Sequence, residues 1–350
     1  MRRLATLVAG VVVLAALAAT PAAASAGQSG QNCAFPVTMT DTTGTEVTVE
    51  ERPDRVVTTN PSAAQTMWEI GGRDQVVGLT QYASYLEGAE SRTNVSASFG
   101  VSRETVVGTN PDLVIAPNSS SGDVQGLRDA GLTVYHLPAP TDVDDIRQAT
   151  TTIGRLTGNC QGAADTNAWM NANVEAVGNV TAGVDDRPEV LYPLGSGYVA
   201  AGNTFIDAVL ATAGADNAAG EYTGYPQLND EVIAQTDPDA LVLHNQTGYL
   251  LDEEPYASTT AGRQNAVVRV RERDMSQPGP RSVVNAIHDV TRQLYPDRYN
   301  DSVYVPQSAV EGATPATVSE GTSGGSGPGF TALGGVVALL AATLVARRRR

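Results

Sequence analysis

One pattern occurs twice in this chain, and it limits the architectures open to it. Ser102 to Ile115 and Asn229 to Leu243 each run from a short helical stretch through a Pro-Asp pair into an apolar run. Glu104 precedes Pro111-Asp112 by seven residues, and Glu231 precedes Pro238-Asp239 by the same seven. Proline restricts the residue before it and cannot extend a helix, so each pair marks a helix exit that feeds a strand. A duplicated helix-to-strand unit calls for two lobes of like build. With 350 residues the chain is long enough for both.

The rest of the sequence fits that frame. Arg55 to Thr59, Val76 to Thr80, Asp112 to Ala116 and Thr133 to Leu137 are short β-branched apolar runs, and Ser62 to Ile70, Ser102 to Gly108 and Asp123 to Ala130 between them read as helices. Strands without polar alternation, separated by helices, are the mark of a parallel sheet covered on both faces. The pattern restarts at Glu189 and continues through Thr204 to Ala213, Ala240 to His244, Ala266 to Val270 and a helix from Arg281 to Leu294. Cys160 to Thr181 lacks proline and carries an apolar stripe, which predicts one helix of about 30 Å. The expected class is α/β: a first lobe over 27–158, a bridging helix over 159–183 and a second lobe over 184–308.

The ends differ from the middle. Residues 1–26 have Arg2 and Arg3, an apolar run and small residues at Ala24 to Ala26, the layout of a secretory signal peptide, with the Sec or Tat route left open. Residues 309–327 are rich in Ser, Thr and Gly and read as a stalk. Residues 328–350 hold Pro328-Gly329-Phe330, a short apolar segment and Arg347 to Arg350. They resemble the archaeal PGF-CTERM sorting signal, in which the tail is exchanged for a lipid; a permanent membrane span is the alternative. Either places the protein on the outer face of the cell membrane. Cys33 and Cys160 fit an exported protein with one disulfide, with two buried thiols as the alternative. Sequons at Asn94, Asn118, Asn179, Asn245 and Asn300 fit the same compartment and make these residues glycosylation candidates.

The charges are 38 acidic residues against 22 arginines and no lysine, net −16. Such a chain repels phosphate backbones, so nucleic acid is excluded as a partner. In molar salt, where the Debye length is about 3 Å, a surface this acidic serves solubility, and ligand choice falls to close contacts. Hydrolase elbows, phosphate-cradling loops and dinucleotide fingerprints are missing, so no enzyme is expected and no cofactor is assigned.

The segment Phe35 to Val49, the strand Arg55-Val-Val with Asn60-Pro-Ser, Val76 to Leu79 and the doubled Glu to Pro-Asp motif resemble the substrate-binding proteins of ABC importers for ferric siderophores, haem and cobalamin, in particular surface-anchored ones of halophilic archaea. The resemblance implies two Rossmann-like lobes joined by one long α-helix, a cleft between them, and a monomer that works with a permease and an ATPase. It also implies that Glu104 and Glu231 dock into arginine pockets of the permease. A ferric siderophore is the favoured ligand, with cobalamin or haem on the same scaffold as the alternative.

Open parallel sheets bind ligands at the carboxyl ends of their strands. That rule gives Asn60, Ser62, Tyr82, Tyr85 and Asn118 from the first lobe and Tyr198, Tyr249 and Arg281 from the second, with Arg281 to neutralise an anionic chelate. Asn118 is both a cleft candidate and a sequon, and a glycan there would fill the cleft. A bare zinc or manganese site on His136, His244 and Asp274 is the competing reading, although no His pair has ligand spacing and no metal is assigned.

Overall fold

In the computed structural model, which describes residues 33–310, the apolar runs become two open parallel sheets. A hairpin of β1 (Val37–Thr40) and β2 (Glu46–Val49) comes first. The first-lobe sheet contains β3 (Val56–Thr58), β4 (Val76–Leu79), β5 (Thr93–Asn94), β6 (Leu113–Ala116) and β7 (Val134–His136), in the spatial order β5-β4-β3-β6-β7. Its helices are α1 (Pro61–Glu69), α2 (Arg103–Gly108), α3 (Ser121–Asp129) and α4 (Val143–Thr157). The long helix α5 (Cys160–Thr181) follows. The second lobe contains β8 (Glu189–Leu191), a hairpin of β9 (Pro193–Gly195) and β10 (Tyr198–Val199), α6 (Phe205–Thr212), β11 (Asp216–Asn217), α7 (Asp230–Thr236), β12 (Ala240–Leu243), α8 (Thr260–Gln264), β13 (Val267–Arg269), α9 (Glu272–Ser276) and α10 (Pro280–Leu294). Its sheet has the order β11-β8-β12-β13. The expected α/β class with two Rossmann-like lobes is what the chain adopts.

Both faces of each sheet are buried, which is why the strands read as continuous apolar runs. Val56, Leu113 and Ile115 face α1 and α4, whereas Val57, Val114 and Ala116 face α2 and α3. In the second lobe Val190, Ala240 and Val242 join a core with α6 and α10, and Leu191, Leu241 and Leu243 face the opposite layer. This is the two-residue period of a pleated strand with an apolar partner on each side.

The repeated motif has a structural task in each lobe. Asn110 (φ 46°) and Asp237 (φ 33°) turn the chain through the left-handed region immediately before the prolines. The aspartate that follows then accepts from the amide that starts the adjacent central strand. Asp112 Oδ2 takes the N–H groups of Asp54 and Arg55 at 2.9 and 2.8 Å, and Asp239 Oδ2 takes that of Glu189 at 2.9 Å. The Pro-Asp pair thus ends one helix and fixes the neighbouring strand at the same point.

The helix α5 lies along α4 and α10 and joins the lobes. A disulfide links Cys33 to Cys160, its first residue, with Cα atoms 5.8 Å apart. Closing a loop of this length contributes about 4 to 5 kcal/mol in the chain-entropy account. Among the described residues no helix is long and apolar enough to cross a membrane. The expected signal peptide, the sorting segment with Pro328, Gly329 and Phe330, and nearly all of the stalk lie outside those residues.

Two glycines of α5 separate packing from propensity. A side chain on Gly162 would run into the carbonyl group of Ile70, where α1 ends against α5, whereas Gly178 faces open space. Alanine is worth up to about 1 kcal/mol over glycine in a helix interior. Gly178→Ala should therefore stabilise by roughly that amount, and Gly162→Ala should destabilise by about 2 kcal/mol. Chemical denaturation of the two variants checks both signs.

Candidate ligand-binding cleft

The cleft forms where the strand order of the first sheet reverses, between β3 and β6, the place where open α/β sheets bind ligands. Asn60 begins α1 as its N-cap: its Oδ1 accepts from the amide and the hydroxyl of Ser62, both at 2.8 Å. Its Nδ2 donates to Ser119 Oγ at 2.5 Å, and Thr59 Oγ1 donates to Ser120 Oγ at 2.8 Å. The two strand-end loops are thereby stitched together and form a rigid polar floor.

The walls are apolar. Leu137, Pro138, Ala139 and Pro140, which follow β7, meet Ile146, Ala149 and Ile153 of α4 on one side. Leu194, Phe205, Ile206, Tyr225, Met275 and Pro278 of the second lobe stand opposite. The cleft is open on one side, offers about 370 Å³, and has no charged side chain in its lining. Asn60, Ser62, Thr66, Asn118, Ser119 and Ser276 are the polar side chains of the lining other than the Tyr225 hydroxyl.

Three of the sequence-derived candidates, Asn60, Ser62 and Asn118, come together here. The others do not. Tyr82, Tyr198 and Tyr249 are exposed (65 %, 44 % and 54 %) and lie outside the lining. Tyr85 is a strut between the lobes: its hydroxyl accepts from Gln65 Nε2 at 3.1 Å and donates to Gln277 Oε1 at 2.8 Å, and the Arg273 guanidinium lies 5.0 Å from its ring centre.

Arg281 requires the largest correction. It forms a forked ion pair with Glu69 of α1 at 2.5 and 2.6 Å and stacks 5.0 Å from the Trp169 ring centre. A guanidinium with its fork filled by a buried carboxylate is not free to neutralise a ligand. The same strand-end rule, applied to β7, would have found the Leu137 to Pro140 wall. Phe205 and Ile206 face the cleft because Thr204 caps α6 and aims its first turn there, which no local pattern announces.

The three residues of the competing metal reading stay apart. His136 Nδ1 bonds the Ala116 carbonyl at 2.9 Å, His244 Nδ1 accepts from the Gln246 amide at 3.3 Å, and Asp274 pairs with Arg271 Nε at 2.7 Å. Among the described residues no cluster of three or more His, Cys, Asp and Glu could hold a metal ion. Glu104 and Glu231 sit exposed in the first turns of α2 and α7, capped by Ser102 and Asn229. Asn94, Asn179, Asn245 and Asn300 are exposed, and Asn118 is exposed within the cleft lining.

The sequence model of the family described as periplasmic binding protein matches residues 56–273. The chain belongs to this family. A cobalamin-binding protein of Halobacterium salinarum is 40 % identical, with 99 % of each chain covered. A vitamin B12-binding protein of Salmonella typhimurium is 25 % identical over 58 % of this chain and 76 % of its own length. Among solved structures, the periplasmic heme-binding protein RhuT from Roseiflexus in apo form superposes with a TM-score of 0.64 at 25 % identity, over 70 % of this chain and 99 % of that one. The family is one of binding proteins, and nothing in these likenesses points to catalysis.

On α10, His288 is buried between Asn173 Oδ1 and the Tyr299 hydroxyl, both at 2.8 Å. Burial, aided by the charge of Arg292, pushes its pKa down to about 4. The unfolded chain takes up a proton near pH 6.5 that the native site refuses, so this stability is complete above pH 6.5 and is lost as pH falls toward 4. The loss should reach about 3 kcal/mol from this group, and His244, also shifted down by burial, adds in the same direction. Denaturation midpoints between pH 7 and 4 test it; His288→Gln should flatten the slope.

Proposed function

We propose that this chain is the extracellular substrate-binding component of an ABC importer and that its ligand is a corrinoid of the cobalamin class. The observation that carries the reading is the uncharged, mostly apolar cleft, together with the capture of Arg281 by Glu69. An anionic ferric chelate needs a cation at its site, and a bare metal ion needs a cluster of ligands. A corrin, with methyl groups and neutral amides around its ring, needs apolar walls and a few hydrogen-bonding groups. The name carried by the 40 % identical Halobacterium relative supports the same choice over the ferric siderophore favoured from sequence. Tyr225 at the wall supplies a flat face against which a macrocycle can stack.

The rest of the reading follows from the ends of the chain. A signal peptide over 1–26 exports the protein, and the segment from Pro328 to Arg350 tethers it outside the membrane. Glu104 and Glu231, exposed on matching helices of the two lobes, dock it on the permease, where paired charges set register more than affinity.

Titration calorimetry in molar salt should give saturable one-to-one binding for cobalamin, and none for haem or for ferric hydroxamate and catecholate chelates. Ala149→Trp, which fills the cleft, should weaken cobalamin by at least about tenfold. Binding of a ferric chelate or haem with no response to cobalamin would overturn the assignment. The double variant Glu104→Arg with Glu231→Arg should bind ligand as the parent does yet lose uptake in cells; normal uptake would remove the docking role.

A further inference from the structure

The segment Tyr299–Val310 runs back across the junction of the two lobes, and its contacts are more than cover. Val305 donates from its amide to Asn173 Oδ1 at 2.9 Å, and its carbonyl accepts from Asn173 Nδ2 at 3.0 Å and from Trp169 Nε1 at 2.8 Å. Asn173 and Trp169 are both fully buried side chains of the bridging helix α5. The Asn173 amide is thus fully used: Nδ2 donates to the carbonyls of Val305 and Trp169, and Oδ1 meets the Val305 amide and His288 Nε2. Tyr304 packs edge-on to the His288 ring at 5.3 Å, and Gln307 Oε1 accepts from Arg281 Nη2 at 3.2 Å.

That last contact reaches the joint itself. Arg281, on α10 of the second lobe, holds Glu69 of α1 in the first lobe and lies over Trp169 of α5. One residue further on, the amide of Ser282 donates to Gln65 Oε1 of α1 at 3.1 Å, and Gln65 Nε2 donates to Ser282 Oγ at 3.0 Å. The 299–310 segment therefore touches a side chain that joins first lobe, second lobe and bridging helix at one point. Any change in the angle between α1 and α10 must move Arg281, and with it Gln307 and the Val305 pairing.

We propose that residues 299–310 form a hinge clasp, whose release and the opening of the cleft are one coupled equilibrium. The clasp sets how far the lobes part, and by reciprocity a change at the lobe junction loosens the clasp. This holds whatever ligand the cleft takes, so its test needs none.

The experiment is native-state hydrogen exchange on the full chain, unliganded, for the parent, Val305→Pro, Gln307→Ala and Glu69→Gln. The first two substitutions lie within the 299–310 segment and remove its bonds to Asn173 and to Arg281 respectively. Each should speed exchange of the Ser282 amide and of the last turn of α1, Thr66 to Ile70, by about tenfold while β6 amides stay at parental rates. In the reverse direction, Glu69→Gln should speed exchange across residues 303–310. Faster exchange confined to residues 299–310 in Val305→Pro and Gln307→Ala, with Ser282 unchanged, would overturn the proposal. Should Val305→Pro raise exchange everywhere including β6, Gln307→Ala alone decides, because it leaves the Val305 pairing with α5 intact.

Discussion

The forked pair between Glu69 and Arg281 is the interaction on which the rest of this molecule depends. Each α/β lobe satisfies its own sheet, so nothing within a lobe sets where the other must lie. That position is set where α1, α4, α5 and α10 pack together, with the Tyr85–Gln277 bond also spanning the lobes, and at the centre of the joint the Glu69 side chain is only 7 % exposed. A buried carboxylate is costly without a partner, and its guanidinium is held in turn by the Trp169 face. Gln65, bonded to the backbone and hydroxyl of Ser282, completes the joint. The cleft opens in front of this joint, and its shape is a consequence of it.

Because the cation is used for architecture, little charge remains for recognition. The floor is a closed set of hydrogen bonds around Asn60 and Ser119, and the walls are aliphatic and proline-rich. On the proposed reading, selectivity comes from fit and from a few neutral polar groups. In concentrated salt, where surface fields die within a few ångströms, this is the means of discrimination least disturbed by the solvent.

The fold was legible in the sequence because its signals are local and repeated. Unbroken apolar runs, the proline exits and the proline-free stretch from Cys160 to Thr181 each report one element, and two copies of one motif report two lobes. The Pro-Asp aspartates have a local logic too, since each caps the strand beside it. The cleft was legible only where a strand end names its own residue, as at Asn60, Ser62 and Asn118. Tyr85 and Arg281 stand outside the lining because their partners, Gln277 and Glu69, come from the other lobe. A sequence shows a tyrosine or an arginine near the right strand end, but not which far segment claims it. The apolar wall after β7 is reachable by the same strand-end rule, but its alanine and prolines carry no polar chemistry that draws attention to it.

The central claim is that a neutral macrocycle is held between the Leu137 to Pro140 wall and the Phe205 and Tyr225 face. A crystal structure grown from molar salt with cobalamin tests it most directly. The account predicts a corrin ring lodged between those two walls, with its amides near Asn118, Ser119 and Ser276 and the Glu69 to Arg281 pair intact. A corrin bound elsewhere, or one whose site requires Arg281 to leave Glu69, would contradict it.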